Sequence, residues 1–197
     1  QTGLPTAKPL QMFAGKGRLF VHSNGSIYYK DVNSCSYTAM SGSTTGFLTG
    51  GHFFYYPGDR TIYHSQSFGH NMRKLSLGTR YAANYVGRSL VSGYNDGAAL
   101  SSKFYVLASS YSYGNSLYMS DQFNSLIRKL DIPTNTVSTV AGTYGFAGSV
   151  DGIGAAARFS AVSGMVGDGT HIYIIDNLNY TLRRYTIATA NVLTVAG

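Results

Sequence analysis

The sequence predicts an all-β fold assembled from four repeated units. Three observations point to it: residue usage favours strands, the chain repeats itself at a fixed period, and each repeat divides into four short alternating runs. Across 197 residues there are 17 Tyr, 10 Phe and 24 Gly. Val, Thr, Ser and Asn abound and straight-chain helix formers are scarce, so propensity favours strands joined by many turns. The length allows one domain or two small ones, with apolar residues enough for a sizeable core. A helical bundle and a disordered chain are excluded.

The period is the strongest of the three. Val137-Ser-Thr-Val-Ala-Gly142 recurs 55 residues later as Val192-Leu-Thr-Val-Ala-Gly197. The same spacing relates Asp96-Gly97 to Asp151-Gly152, Phe104 to Phe159, Gly114 to Gly169, Tyr118 to Tyr173, Asp121 to Asp176, Asn124 to Asn179 and Arg128 to Arg183. One step back, Tyr63, Gln66, Arg73-Lys74 and Val86-Gly87 fall under Tyr118, Asp121, Arg128-Lys129 and Ala141-Gly142. A worn copy opens the chain, where Ile27, Asp31 and Met40-Ser-Gly42 stand 100 residues before Ile127, Asp131 and Val140-Ala-Gly142. The units end at Gly42, Gly87, Gly142 and Gly197.

Within the third unit the alternating runs are Lys103 to Ser109, Ser116 to Asp121, Leu126 to Ile132 and Thr136 to Val140. Between them lie Gly114-Asn115, Gln122-Phe-Asn124 and Pro133-Thr-Asn135, short turn-forming links suited to antiparallel hairpins. Four-stranded repeats of roughly 45 to 55 residues are the signature of propeller blades. Residues 1–197 are therefore expected to form a single propeller or propeller fragment, with blades at about 9–42, 43–87, 88–142 and 143–197. A β-sandwich does not account for the fixed register.

These residues resemble the NHL-repeat propellers. The match rests on Leu117-Tyr-Met-Ser-Asp121, Asn124, Ile127-Arg-Lys-Leu130 and Val137-Ser-Thr-Val-Ala-Gly142, then on Asp151-Gly-Ile-Gly-Ala-Ala-Ala-Arg-Phe159, Ile172-Tyr-Ile-Ile-Asp176, Asn179 and Leu182-Arg-Arg184. It is closest over the last two units. The usual Pro after the Phe is absent, with Val162 near its place, and the His and Leu of the family name are missing. The resemblance implies protein–protein interaction, as in most members, or single-stranded RNA binding by a basic face, as in some. It also implies more blades than four. Either the ring closes with four, or the missing blades come from another chain or a lost portion. The second is expected, because four open blades expose two apolar faces and the chain opens on Gln rather than Met.

The repeated polar residues have a structural and a functional reading. Asp121 and Arg128, like Asp176 and Arg183, flank one turn and are read as a bidentate cross-strand ion pair tying each blade together; the alternative is a ligand-binding carboxylate and guanidinium. In the second unit Gln66 and Arg73 take their places. Asp96-Gly97 and Asp151-Gly152 lie between blades, where Gly accepts positive φ and Asp bonds nearby amides. One carboxylate per loop is too few for calcium. Phe104 and Phe159 are expected to pack between blades, and Tyr63, Tyr118 and Tyr173 within them.

The aromatics outside strands are the candidate contact surface: Phe68, Tyr94, Phe123, Tyr144, Phe146 and Tyr180, joined by His70 and Arg88. The charge is +7, from 15 Lys and Arg against 8 acids, all of them Asp, which invites an acidic partner. Six of the basic residues, however, repeat on the third strand, and neighbours on a strand point to opposite faces. A protein partner is expected and RNA is the alternative. No catalytic role is expected, since the five histidines sit at non-equivalent blade positions and no nucleophile elbow or phosphate loop is present. A propeller lyase or hydrolase is the remote option. No cofactor and no metal site are implied. The single Cys35 has no partner for a disulfide, and no stretch is apolar enough to span a membrane as a helix. Two sequons, at Asn24 and Asn179, would accept glycans in an extracellular or cell-surface setting.

Overall fold

The computed structural model describes residues 11–15, 17–23, 26–31, 33, 38–39, 52–56, 61–66, 69–77 and 82–197. They form four antiparallel sheets in chain order. The first holds β1 (Gln11–Gly15), β2 (Arg18–Ser23), β3 (Ser26–Asp31) and β4 (Thr38–Ala39). The second holds β5 (Phe53–Tyr56), β6 (Thr61–Gln66), β7 (Asn71–Ser76) and β8 (Ala82–Val86). In the third, β9 (Gly97–Ala98) is followed by β10 (Leu107–Tyr113), β11 (Ser116–Asp121), β12 (Leu126–Asp131) and β13 (Thr136–Ala141). The fourth repeats this with β14 (Gly152–Ile153), β15 (Val162–Gly167), β16 (His171–Asp176), β17 (Thr181–Thr186) and β18 (Asn191–Ala196). Each sheet is a meander, and β1 lies against β5 and β10 against β15. The fold is a β-propeller.

Two details depart from the sequence reading. The last two sheets have five strands, because β9 and β14 pair with the outer strands β13 and β18. The first main strand of the third unit is also displaced, running over Leu107–Tyr113 rather than Lys103 to Ser109. Lys103 and Phe104 instead bridge back to Asn95 and Ser92, and Val106, at φ 68°, breaks the extended path before the strand begins. This detour lets Phe104 turn fully into the space between blades.

Three apolar layers hold the sheets face to face. Phe20 and Ile27 meet Phe53, Ile62, Leu75 and Ala82 between the first two. Tyr63, Met72 and Val86 meet Phe104, Leu107, Leu117, Met119 and Leu130 between the next two. Tyr118, Ile127 and Ala141 meet Phe159, Met165, Ile172, Ile174, Tyr185 and Val192 between the last two. Strand alternation divides each sheet between its neighbours, so Leu117 and Met119 look back while Tyr118 looks forward.

The repeated Val-Ala-Gly ending has a geometric cause. Ile127 pairs with Ala141 and Arg128 with Thr139, leaving Val140 as the extra residue of a β-bulge, and the same shift recurs at Tyr85 and Val195. A bulge sends two successive side chains to one face, and Val140 and Ala141 both pack on the following blade. Gly142 then takes φ +91°, where a Cβ would stand 2.7 Å from the Ser125 carbonyl oxygen. No other residue fits there without moving backbone.

Candidate recognition site

The site is built on a polar lock that recurs in the last two blades. Arg128 is fully buried. Its Nη1 donates to Asp121 Oδ2 at 2.7 Å and to the Lys103 carbonyl at 3.1 Å. Nη2 donates to the Asn95 carbonyl at 2.8 Å and to Asp96 Oδ1 at 2.6 Å, and Nε reaches the same Oδ1 at 3.1 Å. All five guanidinium donors are thus used. Arg183 repeats four of these five contacts, with Nη1 bound to Asp176 Oδ2 at 2.8 Å and the Arg158 carbonyl at 2.9 Å, and Nη2 bound to Asp151 Oδ1 and the Val150 carbonyl, both at 2.9 Å, while its buried Nε has no acceptor. The expected bidentate pair is replaced by one contact to the strand aspartate and a second carboxylate, from the loop between blades, on the other edge. An arginine serves this duty because a planar fork reaches both at once.

Phe104 and Phe159 lie under the two guanidinium groups, at 4.7 and 5.0 Å from the ring centroids, a cation–π contact in a desolvated place. Asp121 Oδ1 also accepts the Tyr105 amide at 2.7 Å, and Asn124 Nδ2 spans Asp121 and the Gly93 carbonyl. Burial pushes the Asp121 carboxyl above its ordinary value, against the pull of Arg128, Asn124 and the Tyr105 amide. For Asp151, burial works upward too, but the Thr194 amide and hydroxyl and the Arg183 guanidinium outweigh it and hold that carboxyl low.

On this lock stands an open groove of about 380 Å³, lined by Tyr105, Phe123, Asn124, Tyr144 and Phe146 among others. The loop 143–147 supplies Tyr144 and Phe146, exposed by 51% and 64%, and the 3-10 turn Gln122–Asn124 supplies Phe123, exposed by 56%. Tyr144 stacks on Tyr94 with centroids 4.5 Å apart, and Tyr94 in turn lies 5.2 Å over Arg128. Tyr105 leans on Phe123 at 5.1 Å. Asn124 both lines the groove and bonds Asp121, so the groove floor is part of the lock. The lining carries no carboxylate, histidine, lysine or thiol.

The structure thus brings together Tyr94, Phe123, Tyr144 and Phe146 of the expected contact residues. Tyr105, which the sequence placed inside a strand, joins them because that strand begins later. Arg88 is exposed on the connection after the second sheet. His70 is not on the groove: it is half-buried at the blade interface, its Nδ1 accepting the Val106 amide at 3.1 Å. Tyr180 is 86% exposed, but on the fourth sheet rather than the groove. Phe68 and Asn24 lie outside the described residues. Asn179 Nδ2 donates to the Gly148 carbonyl and to Asp176 Oδ2, each at 2.8 Å, so this side chain is part of the fourth blade's lock.

No family model matches the chain, and no curated protein matches it. Among solved structures it is similar to a Bacteroides thetaiotaomicron protein of unknown function, at 22% identity and TM-score 0.74, over 86% of this chain and 44% of that one. It is similar to an auxiliary nutrient binding protein of Bacteroides ovatus at 18% identity and TM-score 0.71, over 91% and 46%. A streptogramin B lyase matches at 12% identity and TM-score 0.66, over 98% and 56%. The chain spans about half the length of these structures, and at such identities the likeness speaks for the propeller fold.

Proposed function

We propose that this chain is a non-catalytic recognition module, an NHL-type propeller whose groove at Tyr105, Phe123, Tyr144 and Phe146 takes an apolar side chain of a protein partner. The observation that carries the reading is a set of exposed rings fixed from below by a buried, hydrogen-bonded lock. Aromatic anchors pre-positioned in this way lose little entropy on binding and make good hot spots. A groove lining without acid, base or thiol supports binding over turnover. A binding role is also that of the Bacteroides ovatus neighbour, a nutrient-binding protein by its description. RNA recognition is the weaker reading, because Arg128 and Arg183 are spent inside the blades and Lys74 lies over the Tyr63 and Tyr85 rings.

The test is selection of a displayed random-peptide library on the wild-type chain, with polyuridylate binding measured in parallel. Enriched peptides with an aromatic or aliphatic anchor, bound at least tenfold more weakly by Phe123→Ala and Phe146→Ala, support the reading. Polyuridylate binding that falls steeply with salt, with no peptide enriched, overturns it.

A further inference from the structure

We propose that the groove's partner is a short extended peptide carrying two apolar residues, one on each side of Tyr144, and an Asp or Glu whose carboxylate is held by Arg158. The inference rests on the recognition reading above and adds a second apolar site and a charge requirement to it. Beyond Tyr144 lies another cavity, of about 270 Å³, lined by Tyr94, Thr139, Val140, Ala141 and Ala155 among others. Tyr144 borders both cavities, so one ring divides the recognition surface in two.

That divider is fixed on three sides. The Phe146 amide donates to the Thr143 carbonyl at 3.1 Å, closing a tight turn in which Gly145 takes φ +81°, a place that suits glycine. Thr143 Oγ1 donates to the Ala155 carbonyl at 2.8 Å, which ties the turn to the wall of the second cavity. The Tyr144 ring lies nearly parallel to Tyr94, at 8°, and Tyr94 is braced by Arg128. A ridge held this way loses little freedom when a peptide straddles it.

The linings say what each side accepts. Rings surround the first cavity, which fits an aromatic anchor, whereas Val140, Ala141 and Ala155 give the smaller second one an aliphatic character. In an extended chain, residues i and i+2 point the same way about 7 Å apart, a span that clears one ring. Arg158 supplies the polar contact. Its guanidinium lies 5.9 Å from the Phe146 ring centroid, and its Nη1 donates to the Ala155 and Ala157 carbonyls, so it borders both cavities. Nε and Nη2, the edge that grips a carboxylate with two parallel hydrogen bonds, have no acceptor among the described residues. The counterpart one blade back is Lys103, which offers no such fork.

The test selects the displayed random-peptide library in parallel on wild type and on Ala155→Leu, which fills the second cavity from its exposed wall. Enriched peptides are resynthesised with amidated C-termini, so that only side chains supply carboxylates. Wild type is expected to enrich two apolar residues about two positions apart beside an Asp or Glu, and Ala155→Leu to enrich the aromatic anchor alone. On wild type, truncating the second apolar residue to Ala or converting the acid to its amide weakens binding by about tenfold. Arg158→Lys weakens the acidic peptide similarly and leaves its amide form within about twofold. Melting curves confirm that each variant is folded, and the peptide substitutions on wild type decide the matter if one is not. Single-anchor peptides bound equally by wild type and Ala155→Leu, yet lost in Phe123→Ala, overturn this proposal and leave the recognition reading standing. An acid whose amide binds as well overturns it too. A library that enriches nothing on either chain overturns both.

Discussion

His70 Nδ1 accepts the Val106 amide at 3.1 Å, and 55 residues on, Ser125 Oγ accepts the Ala161 amide at the same distance. Both acceptors are left-handed, at φ 55° and 57°, and both donors have positive φ. Two chemically unlike side chains thus perform one clasp between neighbouring blades.

Only the histidine clasp depends on pH. Protonated imidazole has no acceptor at Nδ1, and burial already pushes the His70 pKa below its ordinary value. With the folded value lower than the unfolded one, the unfolded state binds more protons, so stability is complete above about pH 6.5 and is lost as pH falls through the folded value. His70→Ser is expected to keep neutral-pH stability within about 1 kcal/mol and to reduce the loss between pH 7.5 and 5.5. His52, also pushed down by burial, contributes a loss of the same sign in both proteins. Melting curves of both proteins at both pH values check this.

The lock makes arginine irreplaceable where a charge alone would not be. Arg128→Lys keeps the charge but leaves a point donor where five fixed N–H groups were bonded, stranding parts of two carboxylates and two carbonyls. The expected loss is about 3 kcal/mol or more. Asp176→Asn, which keeps shape but removes the partner charge of Arg183, is expected to lower the denaturation midpoint while leaving affinity at the groove within twofold. A variant that loses binding with an unchanged midpoint would assign Asp176 to recognition instead.

The blades were legible in the sequence because register is a property of spacing: Asp121, Asn124, Arg128 and Gly142 each recur at 55 residues, and each sits where the lock or the bulge requires it. What the period could not show was the outer end of the lock. Asp96 and Asp151 are far from the arginines along the chain, and only the pairing of β9 with β13 carries Asp96 to Arg128. The groove was half legible. Tyr94, Phe123, Tyr144 and Phe146 declared themselves as loop aromatics, whereas Tyr105 has Ser160 as its counterpart and so no repeat signal. His70 looked like a loop residue because its role is set by its partner on the next blade.

Groove and scaffold are expected to separate under mutation. Phe123 and Phe146 expose more than half of their surface, so truncating either to Ala costs about 0.5 kcal/mol or less of stability. Tyr144→Ala costs more, about 1 kcal/mol, since it also breaks the stack on Tyr94. If both Phe variants melt several degrees early, the rings belong to the core rather than to a contact surface. Thermal melts of the three variants make the comparison.

The seam between the third and fourth blades is expected to fail first in alkali. Tyr118 and Tyr185 face each other across it with ring centroids 6.0 Å apart. Burial, and secondarily the neighbouring Tyr118, push the Tyr185 hydroxyl up to about 12, and burial raises Tyr118 as well. Both stay neutral in the folded protein while their unfolded counterparts ionise near pH 10. Their contribution is therefore whole below pH 10, and that of Tyr185 is lost as pH rises from about 10 to about 12. Tyr185→Phe cannot ionise in either state, so its denaturant midpoint should fall less than that of wild type between pH 9 and pH 11. Equal slopes would place the alkaline weakness elsewhere in the propeller.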